Sequence, residues 1–497
     1  MRKKVGAVKK MAVSLGSDFL VAVNYNGVVF ACGDNDHGQL GLCPDLDDVS
    51  ERALPGPVDL NSLTNQGNAV MVSAGNLHAA CVTRNGSVYT WGCGSHGQLG
   101  VAHAQRHPRP QRVYSASMGR SPAIMVACGH NHTLLLTAAG HVWGCGGNFC
   151  FQVGVQSMVN PLLKNNSNIS EFTMMPPARF DGGNGHVEID FIAAGKYHSV
   201  AVGRHDGVLW TWGNSTSGRL GLGDGLVSKY VRVPTAVPRT TFGEAVVSAS
   251  ATTTFTMAIT ASGVLWVTGK SIFSSIGLGE TSICRTFNRV GGREYFGEGG
   301  VRSVACSSMH SLIVAQNGSL WGCGHGDSCC LGIEVDGQSY SRPVQMNPAF
   351  FHDEAIIVAS VCETRSIVVT VSGGLYTWGR ESEVSYSGLC LVAQGTQVYE
   401  IEPEYRDEMT IIQYVPQKVM LMSMGHSDQK IDPFGLWVSP FSEDEQLAFA
   451  MCTHFKLGRG SHYHRTQNEL LHYILRDSLR VSAVNHTGAG LRNLLGI

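Results

Sequence analysis

Residues 86–100 read Gly-Ser-Val-Tyr-Thr-Trp-Gly-Cys-Gly-Ser-His-Gly-Gln-Leu-Gly, and this stretch decides the fold because its pattern recurs along the chain. Its first half has the form Gly-x-[Val/Leu]-aromatic-x-x-Gly. β-branched and aromatic residues held between two glycines are typical of a short strand bounded by turns. The chain therefore has to be analysed first as a set of repeats.

The pattern occurs seven times at nearly even intervals. Its second glycines stand at 33, 92, 146, 213, 269, 324 and 379, so the successive spacings are 59, 54, 67, 56, 55 and 55 residues. An interval near fifty-five residues is long enough for four short strands and their turns. The seven copies are Gly27–Gly33, Gly86–Gly92, Gly140–Gly146, Gly207–Gly213, Gly263–Gly269, Gly318–Gly324 and Gly373–Gly379.

Two further features keep phase with these glycines. A turn of the form Gly-Gln-Leu-Gly follows the second glycine at Gly38–Gly41 and Gly97–Gly100, and looser versions follow it in later copies. We call the position eight or nine residues before the first glycine the slot. Four of the seven copies have histidine there. The slot residues in chain order are Phe19, His78, His132, His198, Phe255, His310 and Arg365.

Each copy is predicted to form four short strands. Val72–Ala74, Ala79–Thr83 and Ser87–Trp91 show three of them, and Arg84-Asn85-Gly86 is a hairpin turn between the last two. We place the tryptophans on the last strand of the unit, where one blade packs against the next. A proline-led segment upstream supplies the remaining strand in several copies: Pro110–Val113, Pro177–Phe180, Pro234–Val237 and Pro343–Met346.

Four strands in about fifty-five residues make one propeller blade, and seven such units can close into a ring. The predicted fold is therefore all-β: a seven-bladed β-propeller with a short α-helical C-terminal extension. We expect residues 1–425 to form the propeller and residues 426–497 to form the extension.

The repeated words resemble those of the regulator of chromosome condensation repeat family. They are Tyr89-Thr90-Trp91-Gly92, the Gly-Gln-Leu-Gly turn, and Ala127-Cys128-Gly129-His130-Asn131-His132-Thr133. The resemblance covers roughly residues 8–420 and rests on three motifs in fixed order. It implies a seven-bladed propeller.

The ring is predicted to close through a strand from the far end of the repeats. Met11–Gly16 matches Val70–Gly75, so the chain begins at the second strand of its unit. Val415–Val419 has the phase of Pro110–Val113. We therefore expect Val415–Val419 to complete the blade that the N-terminal strands open, which would remove exposed edges.

Beyond the repeats, Glu443–Leu457 and Gln467–Val481 carry apolar residues at helical spacing. At this length the segment is small for an independent core. Docking of these two helices on the propeller is favoured, and a helical hook for another protein is the alternative.

The charge balance limits the choice of partners. Lys and Arg number 36 against 38 Asp and Glu, which gives a net charge of −2. Holding chromatin through phosphates needs a strong basic excess on one face, so composition gives chromatin binding no support, although it stays open. The locally basic N-terminus is most simply a solvated leader strand; it comprises Arg2, Lys3, Lys4, Lys9 and Lys10.

Cysteine usage indicates the compartment. The chain has 15 cysteines, but the apolar run Met11–Val23 is interrupted by polar residues, so no cleavable leader is predicted. No apolar stretch is long enough to span a bilayer. We expect reduced thiols in a cytoplasmic or nuclear protein that does not enter a membrane.

The residues that look chemical have structural explanations, and we predict no catalytic, cofactor-binding or metal-binding residues. Phe and Arg also occupy the histidine slot, so the slot does not require a metal ligand, and a histidine bonded to a neighbouring backbone group is favoured. Cys32, Cys145 and Cys323 take the place of Trp91 and should be small buried apolar residues. The pair Cys329-Cys330 is more simply a turn filler than a redox site.

The predicted function is a monomeric, non-enzymatic scaffold that binds a protein partner through the loops of one propeller face. The resemblance implies an alternative, guanine-nucleotide exchange on a small Ran-like GTPase through a wedge from the third blade. The longest spacing between repeats, 67 residues, falls after the third copy and contains Val155–Met175, but no wedge motif matches there. A third possibility is a substrate-recognition subunit for ubiquitin transfer, with the C-terminal helices as its adaptor hook.

Overall fold

Each of the seven repeats folds into a four-stranded antiparallel sheet, and the fold prediction is confirmed. In every sheet the four strands lie in chain order, so each blade is a simple meander. The computed structural model describes residues 12–24, 26–42, 49–60, 69–102, 105–113, 121–155, 168–180, 187–226, 228–271, 274–279, 283–326, 330–333, 339–380 and 412–418.

The first four blades occupy the chain up to Ala236. Blade 1 contains β1 (Ala12–Leu15), β2 (Phe19–Val23), β3 (Val29–Asp34) and β4 (Glu51–Pro57). Blade 2 contains β5 (Ala69–Ala74), β6 (His78–Thr83), β7 (Val88–Cys93) and β8 (Arg106–Arg112). Blade 3 contains β9 (Ala123–Cys128), β10 (His132–Thr137), β11 (Val142–Gly146) and β12 (Ile169–Met174). Blade 4 contains β13 (Ile189–Ala194), β14 (His198–Gly203), β15 (Leu209–Asn214) and β16 (Tyr230–Ala236).

The last three blades repeat this order. Blade 5 contains β17 (Val246–Ala251), β18 (Phe255–Thr260), β19 (Leu265–Lys270) and β20 (Ile283–Gly291). Blade 6 contains β21 (Val301–Cys306), β22 (His310–Ala315), β23 (Leu320–Gly324) and β24 (Tyr340–Gln345). Blade 7 contains β25 (Ile356–Val361), β26 (Arg365–Thr370), β27 (Leu375–Arg380) and β28 (Ile412–Lys418). One α-helical turn, α1 (Arg293–Phe296), and 3₁₀ turns at Pro177–Phe180, Thr216–Gly218, Arg239–Thr241 and Pro348–Phe351 lie between strands.

The second glycine of each repeat lets the second and third strands approach at one end. Gly92 is the cross-strand partner of the slot residue His78. Its φ is +99°, and a Cβ there would lie 2.6 Å from the carbonyl oxygen of Leu77. The same pairing joins Phe19 to Gly33 and Arg365 to Gly379. Only glycine fits this conformation and this distance, which explains the period of the repeat.

The core lies between adjacent blades. The second strand of every blade is buried along its whole length. Strands covered on both faces consist of nearly continuous apolar residues, and β2 (Phe19–Val23) is an example. The first strands contact one another in sequence around the ring, and β1 contacts β25. The first strands are therefore the innermost ones.

The ring closes by the same contacts that join its other blades. The backbone N–H of Leu15 in blade 1 donates to Ser360 Oγ in blade 7, at 3.0 Å. Ala74 in blade 2 donates in the same way to Ser14 Oγ in blade 1, at 2.9 Å. One apolar cluster joins the two end blades and includes Leu20 and Ile367. Side-chain packing and this hydrogen bond close the seam between blades 7 and 1.

The predicted closure through a shared strand is wrong. The 412–418 strand pairs with β27 and completes blade 7, whereas blade 1 has its own fourth strand, Glu51–Pro57. Pro55 and Pro57 interrupt the alternation of apolar and polar residues expected of a strand. The strand is therefore not recognisable in the sequence. A fourth strand tolerates proline because its outer side needs no hydrogen bonds.

Other strand assignments shift with this correction. The seven tryptophans of the described residues lie on the third strands of blades 2 to 7, since the proline-led segment belongs to the preceding blade as its fourth strand. Pro177–Phe180 is a 3₁₀ turn, and the fourth strand of blade 3 is β12 instead. The basic N-terminus, the two C-terminal helices and the boundary at 425/426 lie outside the described residues. Within the described ranges, no helix has the length and apolar character needed to cross a bilayer.

Replacing Gly92 with alanine should lower the free energy of unfolding by about 2–4 kcal/mol, because the new Cβ collides with backbone at positive φ. The matched control is Gly225→Ala, since nothing lies within 4 Å of a Cβ there. This control should change stability by less than about 0.5 kcal/mol. Urea denaturation followed by tryptophan fluorescence measures both. Equal losses in the two variants would contradict the steric explanation.

Candidate protein-interaction surface

The antiparallel order of each blade sorts the loops onto two faces. The connections between strands 1 and 2 and between strands 3 and 4 emerge on one face, which we call the turn face. The hairpins between strands 2 and 3 and the links to the next blade emerge on the opposite, link face. Every 1–2 connection has three residues, as in Gly75–Leu77, whereas the 3–4 connections range from residues 94–105 to residues 381–411. Variation in loop length is thus greatest on the turn face.

The slot histidines join neighbouring blades. Each Nε2 contacts a hydroxyl on the second strand of the next blade. That hydroxyl donates to a backbone carbonyl in the turn that ends at Gly100, Gly154, Gly221 or Gly332. The four pairs are His78–Thr133 (2.9 Å), His132–Ser199 (2.9 Å), His198–Thr256 (2.7 Å) and His310–Ser366 (2.7 Å). The expected backbone partner is wrong: the histidine reaches the backbone through a hydroxyl of the next blade.

These His–hydroxyl pairs are structural. Ser199 donates its proton to the carbonyl of Gln152 at 2.7 Å, so the Nε2 of His132 must carry the hydrogen of the bond between them. A serine nucleophile would have to give its proton to the histidine instead. Both side chains are fully buried. The arrangement therefore fastens one blade to the next.

Three blade seams lack this bridge. Phe19 packs in one apolar cluster with Ala79, the residue of blade 2 that corresponds to Ser199. Arg365 faces blade 1, where Leu20 has that position and offers no hydroxyl. Phe255 holds the slot in blade 5. Blade 6 does supply a hydroxyl at that position, Ser311, which donates to the carbonyl of Ser275 at 2.8 Å. A missing hydroxyl therefore accounts for Phe19 and Arg365 in the slot but not for Phe255.

The tryptophans and cysteines of the third strands serve the same seams. The indole Nε1 groups of Trp91 and Trp212 donate to the carbonyls of Gln39 and Gln152, at 2.8 and 3.0 Å. Cys145 has the equivalent position, and its Sγ contacts the carbonyl of Gln98 at 3.4 Å. Burial raises the pKa of Cys32 to about 12, against the opposing charge of Arg365. Cys330 is buried, and Cys329 lies outside the described residues.

A group of aromatic and basic side chains lies on the turn face of blades 2, 3 and 4, and we call it the cationic patch. Lys196 Nζ and Lys229 Nζ lie 5.6 and 5.3 Å from the ring centroids of Tyr197 and Tyr230. These are distances at which an ammonium group interacts favourably with a ring face. The patch consists of His96, His130, Phe149, Lys196, Tyr197, Lys229, Tyr230 and Arg232.

The patch is continuous across the blades. The rings of His130 and Tyr197 are 6.5 Å apart. The carbonyl of Tyr197 accepts the backbone N–H of Asn214, which is the cross-strand partner of Tyr230. Arg232 lies over the buried ring of Phe151, with its Cζ 4.9 Å from the centroid.

The electrostatics of the patch are positive. Burial lowers the pKa of His130 to about 4, and the charges of Lys196 and His96 act in the same direction. Lys229 and Arg232 are exposed. No ion pair within the described ranges uses Lys196, Lys229 or Arg232.

Blade 1 gives the same face the opposite charge. Asp34, Asp36 and Glu51 lie at the 3–4 connection, and Asp18 lies in the 1–2 turn. Burial raises the pKa of Glu51, and the charges of Asp34 and Asp36 raise it further. We call these four residues the acidic sector. The turn face is therefore polarised, with acid at blade 1 and base at blades 2 to 4.

Sequence inspection did not find the cationic patch. Phe149, Lys229 and Arg232 stand outside the repeated motifs, so periodicity gives them no signal. The available clue was local: Lys196-Tyr197 and Lys229-Tyr230 each place a cation beside a tyrosine in the sequence. Among the described residues, no group of three or more His, Cys, Asp and Glu side chains is arranged to hold a metal ion.

Comparison with known proteins shows which protein family the chain is similar to. Residues 2–295, more than half of it, match the family described as the RCC1-like domain. Human E3 ubiquitin-protein ligase HERC2 is 28% identical over 326 residues, which cover 65% of this chain and 6% of that protein. Human Regulator of chromosome condensation is 26% identical over 374 residues, which cover 73% of this chain and 80% of that protein.

A solved structure shows the same fold. Yeast RCC1 (Prp20), in its crystal structure with Kap60, superposes with a TM-score of 0.61 at 19% identity. The superposition covers 73% of this chain and 80% of that chain. The relatives differ in length, and the region similar to this chain makes up only a small part of HERC2.

The buried histidines should make the protein sensitive to acid. Burial lowers the pKa of His78, His132 and His310 to about 3, so between pH 3 and pH 6.5 the unfolded chain binds more protons than the folded one. Stability therefore falls as the pH drops below about 6.5, by about 2 kcal/mol for each such histidine at pH 5.

Replacing one pair isolates this contribution. The double variant His132→Phe, Ser199→Ala copies the Phe19–Ala79 pair, and it should lose about 2 kcal/mol less than the wild type between pH 7 and pH 5. His205→Asn is the matched control, because the side chain of His205 is 80% exposed. Urea titrations at both pH values measure the difference. An unchanged pH dependence in the double variant would contradict the buried neutral histidine.

Proposed function

The chain belongs to the RCC1-like domain family, and on that premise we propose that it is a protein-interaction module that binds its partner through the turn face. The observation that carries the proposal is the cationic patch, where aromatic and basic side chains gather at positions outside the repeat. Aromatic residues and arginine are enriched in protein interfaces and supply most of their binding energy. The rigid ring presents these side chains from three adjacent blades.

The distribution of loop variation supports the same face. The 1–2 turns and the 2–3 hairpins are short in every blade, and each 2–3 hairpin contains a glycine at positive φ. The 3–4 connections differ widely in length, and they all open on the turn face. Binding residues are commonly carried by variable loops on a rigid scaffold.

Photo-crosslinking tests which face binds. The matched positions are Ser95 and Arg84 in blade 2, and Ser228 and His205 in blade 4; all four are exposed. Benzoylphenylalanine at Ser95 or Ser228, on the turn face, should crosslink a defined protein in cell extract. Placed at Arg84 or His205, on the link face, it should not. Crosslinks confined to the link face, or absent from both, would refute the proposal.

Nucleotide exchange on a small GTPase is the second candidate, and it is favoured by the similarity to Regulator of chromosome condensation across most of both chains. The segment expected to carry a wedge, Val155–Met175, lies mainly outside the described residues. Its described strand, β12, is the fourth strand of blade 3. This candidate uses the propeller as an exchange factor, so it also requires a protein partner.

Release of fluorescent GDP tests the second candidate. The purified full chain should accelerate GDP release from Ran and leave release from an unrelated GTPase such as Rab5 unchanged. An unchanged rate of GDP release from Ran at a saturating concentration of the propeller would refute nucleotide exchange. It would leave the proposal of a protein-interaction module intact. The similarity to HERC2 also keeps substrate recognition in ubiquitin transfer as a use of the same surface.

A further inference from the structure

We propose that the cationic patch binds an acidic peptide segment of the partner, in which aspartates or glutamates flank an aromatic or aliphatic residue. This inference rests on the proposed function and specifies the chemistry of the partner. It follows from the charge of the patch, its exposed rings and the charges around it.

The charge of the patch is available to a partner. Lys229 and Arg232 are exposed, and their positive groups are held over the rings of Tyr230 and Phe151. A cation held over a ring is already positioned, so it loses less side-chain entropy when a carboxylate arrives. Arginine also offers a planar set of donors that matches a carboxylate.

The aromatic side chains give the patch an apolar contact area. Phe149 is 55% exposed, which is unusual for an aromatic side chain among the described residues. Its ring is nearly perpendicular to that of His96, and the two ring centroids are 6.3 Å apart. Tyr197 and Tyr230 are partly exposed. A peptide with carboxylates alone would leave the ring of Phe149 in water. An apolar residue between the acids would cover it.

The size and surroundings of the patch favour a peptide over nucleic acid. Strong phosphate binding needs a basic surface that follows several nucleotides, and each contact adds to the salt dependence. Here three Lys and Arg side chains belong to blade 4, and the same face carries the acidic sector at blade 1. A long polyanion crossing the face would meet Asp34, Asp36 and Glu51, whereas a short segment confined to blades 2 to 4 would not.

Fluorescence anisotropy with a defined probe tests the inference. The probe is a fluorescein-labelled twelve-residue peptide of aspartate and glutamate with two central phenylalanines. Its control is the same peptide with asparagine and glutamine in place of the acids. The full chain should bind the acidic probe at least about tenfold more tightly than the neutral one, and added salt should weaken the binding.

Charge reversal locates the site. The double variant Lys229→Glu, Arg232→Glu should weaken binding of the acidic probe about tenfold or more. The matched control, Arg84→Glu, Arg302→Glu, makes the same change in net charge with exposed residues of the link face and should leave affinity within about twofold. Phe149→Ala should weaken the acidic phenylalanine probe and leave an all-acidic probe unaffected. Thermal melts establish that the variants are folded.

Each remaining outcome overturns the inference. Equal binding of the acidic and neutral peptides would show that charge does not select the ligand. Equal losses in the two double variants would show that net charge acts without a site. Tighter binding of a twelve-nucleotide oligothymidine than of the peptide would assign the patch to nucleic acid. Turn-face crosslinks that persist while the acidic peptide fails to bind would retain the proposed function and refute only the chemistry of its partner.

Discussion

The whole ring depends on a close approach between two strands that only glycine permits. At the end of each third strand, a glycine with φ near +100° lies beside the carbonyl that precedes the slot residue. That contact fixes the pairing of the slot residue with the glycine and therefore the direction in which the slot side chain points. Because the same contact recurs in seven blades, every slot side chain points towards the next blade. The seams follow from this local constraint.

Three sequence motifs meet at each bridged seam, which explains why they stay in phase. The slot histidine comes from one blade, the hydroxyl comes from the next, and the accepting carbonyl belongs to the turn that follows the third strand of the first blade. The third-strand tryptophan or cysteine of the next blade donates to a carbonyl of the same turn. A shift of one residue in any motif would leave a buried polar group without a partner, at a cost comparable to a lost hydrogen bond.

Features that recur with the repeat can be predicted from the sequence, whereas features that occur once cannot. The blade count and the structural role of Trp91 or Cys145 depend on the repeat period, and this period is visible in a single sequence. The closure was wrong because a cyclic repeat gives no signal for its starting strand, so Val415–Val419 fitted two blades equally well. Glu51–Pro57 resolves the choice, but its prolines hide it. The cationic patch was missed for the converse reason: residues that occur once cannot be found by searching for recurrence.

The polarity of the turn face follows from this division between repeated and unrepeated residues. The repeated residues are almost all buried in seams, and they make the seven blades nearly equivalent. A partner can distinguish blade 4 from blade 1 only through side chains outside the repeat, and among the described residues these differ most in charge, from Lys229 and Arg232 to Asp34 and Asp36. Opposite charges on one rigid face orient an approaching dipolar partner before contact, and like-charge repulsion costs energy in the wrong orientation. An uneven charge distribution, together with the unequal 3–4 loops, lets one partner bind a pseudo-symmetric ring in one position.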